Sequence, residues 1–240
     1  MSTYIETLII GGGQAGLAVS YYLTSQDRSH IVLEQAERAG NAWRNHRWDS
    51  FTLNTPNWQS SLPGGEISSA NPDGFLSREE IVKYFEEYVE RFHLPVLYGV
   101  RVHRIRRSET THTYVVETSA GSFEAQNVVM ATGLYQKPKR PAFSADFPAQ
   151  ITQMHSDDYR NPRSQPAGAV LVVGSAQSGA QIAEELYQSG RKVYLSVSRV
   201  GAFRVAIGAK MPTGGMIAWE TTTAQSSCFR RYMRNFRASR

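Results

Sequence analysis

An α/β fold is predicted for this chain: a parallel sheet, a small antiparallel meander, then the start of a second parallel unit. Three observations predict it. The apolar segment Tyr4 to Ile10 runs into Gly11-Gly12-Gly13-Gln14-Ala15-Gly16, a helical pattern with Leu17, Tyr21 and Leu23, and a strand His30 to Leu33 that ends in Glu34. The same order recurs at Ala169 to Val173, Gly174 to Gly179, Ala180 to Gln188 and Lys192 to Val197. Between the two copies lie three short extended runs. Strand, glycine turn, helix, strand and acid together define a Rossmann-like dinucleotide-binding unit.

Each residue type in the first turn has a physical reason. Gly11 lets the chain turn tightly out of the strand, and Gly13 lacks a Cβ, so backbone can approach a pyrophosphate. Gly16 lets the helix pack hard against the strand. The helix start then offers unpaired N–H groups and a positive dipole end to phosphates. Glu34 falls where a carboxylate accepts from the ribose hydroxyls of an adenosine.

The chain has 240 residues and 41% apolar content, ordinary for one or two globular domains. No apolar run approaches the roughly 18 residues of a membrane span. The first residues lack the basic segment of a signal peptide, so a cytoplasmic location is expected. One cysteine, Cys228, is present, which excludes dithiol chemistry within these residues. The net charge of +5 belongs to the end of the chain: residues 199–240 hold eight basic residues against Glu220, whereas the rest hold 18 basic and 20 acidic. A basic segment of this kind can contact nucleic acid or membrane. Neither partner is expected here.

After Glu34, residues 39–58 hold Trp43, Trp48 and Trp58 with little periodicity and read as a long ordered loop. Trp43 and Trp58 are candidates for core plugs as much as for ligand contacts. Residues 60–76 form a second loop. Ser77-Arg78-Glu79-Glu80 is a capping box opening an amphipathic helix over 78–92, to which a purely structural role is assigned. Val96 to Arg106, Thr113 to Thr118 and Ser122 to Ala125 form the meander, with a turn at Ala120-Gly121 and arginines on a solvated face. Asn127 to Gly133 is a buried strand whose small last residues, Ala131-Thr132-Gly133, allow close approach to a ligand.

The second unit ends in Ser198-Arg199 rather than an acid. A hydroxyl and a guanidinium suit a ribose 2′-phosphate, so the second site is expected to prefer NADPH; an arginine that only caps the strand is the other reading. Ala176 stands where the first turn has its middle glycine, which weakens the motif without excluding it.

These pieces resemble the flavin-containing monooxygenases and their bacterial relatives, including predicted flavoproteins encoded near heavy-metal efflux genes. The resemblance is carried by Gly11–Gly16 with Glu34, Gly40 to Arg44, Asn54 to Pro56, Ala131 to Gly133, His155 to Tyr159 and Gly174–Gly179, over residues 1 to about 200. It implies a Rossmann-like FAD/NAD(P)-binding fold in which FAD is held by Gly11, Gly13, Gln14, Ala15, Gly16, Glu34, Gln35, Trp43, Arg44, Ala131, Thr132 and Gly133. It implies NADPH on Gly174, Ser175, Gln177, Ser178, Gly179, Ser198 and Arg199. In that family NADPH reduces the flavin, which then activates O2 for transfer of one oxygen atom to a soft nucleophile or carbonyl carbon. Asn54 matches an asparagine that faces the flavin ring and is the catalytic candidate; a turn residue before Thr55-Pro56 is the alternative. The family fingerprint FxGxxxHxxxY keeps His155 and Tyr159 but has Ala149 and Ile151 at its Phe and Gly positions. That departure favours a looser relative. A flavin reductase or oxidase, and an accessory protein that binds FAD without turnover, are the alternative readings. Expected partners are a small-molecule substrate and O2, with a homodimer allowed and no metal.

The sequence divides into an FAD-binding domain over 1–162 with the meander at about 96–126, an incomplete NADPH-binding domain over 163–200, and a divergent basic tail over 201–240. Codons for 205–219, read one nucleotide earlier, can spell an arginine- and tryptophan-rich string that resembles the family's segment, so an out-of-frame tail is expected. With only two strands of a nicotinamide domain, weak or absent activity is expected of this chain alone.

Overall fold

The structure is a computed structural model that describes residues 3–67, 71–134 and 137–197. Ser198, Arg199 and the basic tail lie outside the described residues. The chain divides into two compact units, the first ending at Ser164 and the second beginning at Gln165.

The first unit is built on a six-stranded mixed sheet. Strand β1 (Thr3–Ile10) leads through the glycine turn into α1 (Gln14–Ser25) and back to β2 (His30–Leu33). A single helical turn, α2 (Asn41–Arg44), and the helix α3 (Arg78–Arg91) follow. Then come β3 (Val96–Leu97), β4 (Val102–Arg107), β5 (Tyr114–Thr118) and β6 (Gly121–Met130). The spatial order is β3-β2-β1-β6-β5-β4. Strands β3, β2, β1 and β6 run parallel, while β4, β5 and β6 are antiparallel.

Strand β1 is central, so its last four residues, Thr7 to Ile10, are buried on both faces, as in covered parallel sheets. Leu8 and Ile10 pack with Leu33, Val116, Phe123 and Ala125 on one side. A second cluster joins Leu17 of α1 to Ile81, Phe85 and Tyr88 of α3. The apolar spacing of 78–92 therefore does what an amphipathic helix must: it buries one stripe. Ser77 accepts from the Glu80 N–H and Glu80 reaches back to the Ser77 N–H, closing the capping box.

Two boundaries differ from the sequence reading. Val96 to Arg106 is not one meander strand. Val96–Leu97 pairs with β2, then Gly99 at φ +70° turns the chain and the Val100 N–H returns to the Glu34 carbonyl at 2.9 Å before β4 starts. Ser122–Ala125 and Asn127–Met130 are not separate strands either. They are the two ends of β6, which pairs with β5 at one end and with β1 along most of its length.

The second unit contains β7 (Val170–Val173), α4 (Gln177–Gln188) and β8 (Val193–Ser196), with β7 and β8 parallel. Ile182, Ala183 and Leu186 of α4 are buried together with Val193. Among the described residues no helix is long and apolar enough to cross a membrane.

Candidate functional site

Strand order reverses between β1 and β6, because β1 connects to β2 on one side while β6 flanks it on the other. In open α/β sheets the crevice beyond the carboxyl ends of such strands is the ligand site. The Gly11–Gly16 turn leaves β1 there, and Ala131-Thr132-Gly133 leaves β6 there. The Ala131 N–H donates to the Ile10 carbonyl at 2.9 Å, so the two segments lie side by side.

Each glycine of the turn shows its own necessity. Gly11 has φ +109°, and a Cβ on it would lie 2.4 Å from the Ala131 carbonyl oxygen. A Cβ on Gly16 would lie 1.9 Å from the Gly11 carbonyl oxygen. Gly13 is different: a Cβ there meets nothing within 4 Å. It caps α1 in an extended conformation, with no side chain satisfying the helix N–H groups. Gln14 and Ala15 are exposed on the first turn of α1. Glycine here keeps space open rather than relieving a clash, as an approaching anion requires.

Glu34 faces the turn. Its carboxylate accepts from the Gly12 N–H at 2.7 Å and from the Ala36 N–H at 2.9 Å. An ionised carboxylate has about four acceptor positions, so two backbone donors fix it and leave capacity for a vicinal diol. Beyond Glu34 opens a cleft of about 270 Å³ lined by Gln35, Ala36, Glu37, Arg38, Asn41, Arg44 and Asn45. The structure thus brings Gln35 and Arg44 together, next to Glu34.

Trp43 stacks on Phe85 at 4.8 Å between ring centroids and packs against the α1–α3 core. Trp58 is not a core plug, being 51% exposed. The plug of this loop is Trp48, at 2% exposure, set against Phe51 and Tyr159. Asn54 is exposed, on a segment whose neighbour Leu53 donates to the Leu76 carbonyl at 2.9 Å.

Tyr159, the last residue of HxxxY, is 3% exposed and anchors the connecting segment to the loop around Trp48. The Asp49 N–H donates to the Arg160 carbonyl at 2.8 Å, and Arg160 donates to the Asn45 carbonyl at 2.9 Å. His155 is half-buried, and its Nδ1 accepts from the Asp157 N–H at 3.1 Å.

The second turn repeats the first. Gly174 has φ +103°, and a Cβ on Gly179 would lie 2.0 Å from the Gly174 carbonyl oxygen. The Gly174 N–H donates to the Ser196 carbonyl at 3.0 Å, as the Gly11 N–H donates to the Leu33 carbonyl at 2.8 Å. Ala176 caps α4 with φ −70°, an ordinary extended conformation. Ser175, Gln177 and Ser178 hold the places of Gly12, Gln14 and Ala15. Pairing of Val173 with Ser196, like Ile10 with Leu33, makes Val197 the counterpart of Glu34. The sequence reading carries this strand to Val197 and so puts Ser198 in that place; β8 ends at Ser196, which moves the position back by one.

Sequence reasoning missed two residues near the first site. Glu86 of α3 binds Nη2 of both Arg38 and Arg44 at 2.7 Å, so α3 holds two arginines that line the cleft. Tyr98 is half-buried just past β3, and its hydroxyl is pushed to a higher pKa by burial and then by the charges of Glu34 and Glu86. Neither residue carries a local sequence signal, since each acquires its neighbours only through the sheet and helix packing.

Fold and first turn together define an α/β unit of the Rossmann-like class. The chain belongs to the pyridine nucleotide-disulphide oxidoreductase family, whose sequence pattern matches residues 8–204. Among curated relatives, a CzcO-like uncharacterized oxidoreductase of Geobacillus kaustophilus is 40% identical over 197 residues, covering 82% of this chain and 55% of that protein. The CzcO oxidoreductase of Bacillus subtilis is 36% identical over 85% of this chain and 58% of its own length. A flavin-containing monooxygenase from Stenotrophomonas maltophilia superposes with a TM-score of 0.74 at 29% identity, covering 82% of this chain and 59% of that one. The chain therefore spans little more than half the length of these relatives.

Proposed function

We propose that this chain carries the FAD site and the beginning of the NADPH site of a flavin-dependent oxidoreductase of monooxygenase type. The observation that carries the reading is the first turn: open space above Gly13 beside a carboxylate already fixed at the Gly12 N–H. In this reading Glu34 accepts from the adenosine ribose, and the N–H groups of Gly13, Gln14 and Ala15 face the pyrophosphate. Gln35 and Arg44 border the cofactor from the cleft, and Ala131, Thr132 and Gly133 bound it from β6.

FAD, when bound, supplies the capacity to accept a hydride from NADPH and to activate O2. The protein binds and orients. Asn54 offers an amide to the flavin side, and Tyr159 holds its loop in place through Trp48. In the second unit Gly174, Ser175, Gln177, Ser178 and Gly179 form the pyrophosphate turn. Val197 presents no carboxylate to repel a 2′-phosphate, which supports NADPH, with Ser198 and Arg199 as the adjoining phosphate contacts. Trp43 serves through packing. The substrate class is a small soft nucleophile or carbonyl compound, and the relatives support this: a probable indole-3-pyruvate monooxygenase of Arabidopsis thaliana is 27% identical over 194 residues.

Two further readings are favoured by Ala149 and Ile151 in the fingerprint: flavin reduction with peroxide release, and FAD binding without turnover. Flavin fluorescence titration of the purified chain tests the shared core. Submicromolar FAD binding that Glu34→Ala weakens supports the site, and binding unaffected by that change refutes it. NADPH bleaching followed by product analysis then separates an oxygenated organic product from peroxide alone.

A further inference from the structure

We propose that Glu86 is a positioning residue for the first nucleotide site, holding Arg38 and Arg44 so that their charge meets the phosphates of the cofactor. This rests on the reading that the first turn binds an adenine dinucleotide. One carboxylate oxygen of Glu86 receives Nη2 of Arg38 and Nη2 of Arg44, each at 2.7 Å. Both arginines line the cleft that opens at Gln35, one residue past the carboxylate of Glu34.

Little else orients Arg44. Its remaining contact is a long one, 3.4 Å from Nη2 to the Ala39 carbonyl. Its Nε is buried without a hydrogen-bond partner among the described residues. The four-residue α2 that carries it has no side-chain cap. Helix α3, by contrast, is fixed by the capping box and by the buried Ile81, Phe85 and Tyr88. Orientation is therefore lent by a long, capped helix to a side chain on a single helical turn, which is how a supporting residue sharpens a binding group.

The charge balance points the same way. Two guanidinium groups on one carboxylate leave a surplus positive charge at Glu86. Glu34 and Glu37 hold negative charge elsewhere around the cleft. An anion is drawn to the arginine side, while the uncharged diol of a ribose suits Glu34.

The test measures ADP and adenosine affinity of the full chain by calorimetry, for the wild type, Glu86→Ala, Glu86→Gln and Arg44→Met. Glu86→Ala is expected to weaken ADP roughly 10-fold, the scale of one charge-assisted hydrogen bond, and to leave adenosine within about twofold. Glu86→Gln, which keeps an acceptor oxygen, restores part of the loss. A purely structural role would move both ligands together. Equal loss for ADP and adenosine overturns the proposal, as does unchanged or tighter ADP binding in Glu86→Ala, which would make Glu86 a mere neutraliser. If Arg44→Met weakens ADP but Glu86→Ala does not, positioning by Glu86 fails while the nucleotide reading stands. If ADP does not bind the wild type, both fail.

Discussion

Gly16 and Gly13 stand three residues apart in one motif, and opposite consequences are predicted for giving each a methyl group. A Cβ on Gly16 would lie 1.9 Å from the Gly11 carbonyl oxygen and 3.4 Å from Ile9 Cγ2. The carbonyl cannot retreat. The Gly11 N–H is bonded to the Leu33 carbonyl at 2.8 Å, and the far side of Gly11 abuts Ala131. Helix α1 must lift from β1 instead, loosening Leu17, which is fully buried. Overpacking against backbone falls at the upper end of its usual cost, ~3 kcal/mol. The better helix propensity of alanine returns ~1 kcal/mol. A net loss of ~2 kcal/mol lowers the melting temperature by roughly 4–8 °C in a domain of this size. Gly13→Ala meets nothing within 4 Å and has φ −87°, so stability should stay within ~0.5 kcal/mol while FAD affinity falls. Thermal melts followed by circular dichroism, paired with flavin titration, check both. A Gly16→Ala protein melting within about 1 °C of the wild type would refute the packing argument. Equal destabilisation by both changes would refute the claim that Gly13 exists for a ligand.

Three other outcomes are expected. Trp48→Ala removes the plug shared by Phe51 and Tyr159 and should cost ~3–5 kcal/mol in urea denaturation, with the connecting segment becoming the first site of protease cleavage. The Glu80 carboxyl is held below its ordinary value of 4.5, first by the Ser77 N–H and then by the Ser77 hydroxyl. A carboxyl whose folded pKa is depressed stabilises the fold above its unfolded value and loses that contribution as pH falls through the folded one. The wild type should therefore exceed Glu80→Gln in urea midpoint at pH 7, and the gap should narrow below about pH 4.5. Val197→Glu recreates the acid of the first turn in the second and should weaken 2′,5′-ADP binding roughly 10-fold without changing FAD affinity; calorimetry with both ligands reads it.

The first turn was legible because its requirements are local. Gly11, Gly16 and Glu34 follow from a tight turn, a close helix and an acid at the end of the next strand. The capping box was legible for the same reason. Strand β3 was not, because two residues, Val96 and Leu97, become a strand only through pairing with β2. Likewise β6 reads as two segments until β1 and β5 bind different parts of it. Aromatic content pointed to the loop of residues 39–58 but could not tell Trp48, sealed by Tyr159, from the exposed Trp58. Glu86 was invisible because it meets Arg44 from 42 residues away, and charge spacing on α3 gives no hint of that contact. The counterpart of Glu34 was misplaced by one residue because the apolar run was read as strand through Val197, whereas β8 ends at Ser196; the 18-residue spacing from Gly16 to Glu34, repeated from Gly179, also falls on Val197.

Strand β6 also dictates when the sheet can exist at all. Thr7 on β1 meets Asn127 on β6, 120 residues later in the chain. At about 5–20 residues per second, a ribosome needs roughly 6–24 s to supply that partner. Until then one edge of the apolar β1 stands open on the nascent polypeptide, a ready template for pairing with another chain. Nascent chains stalled before residue 121 should therefore be chaperone clients, and those released after residue 130 should not.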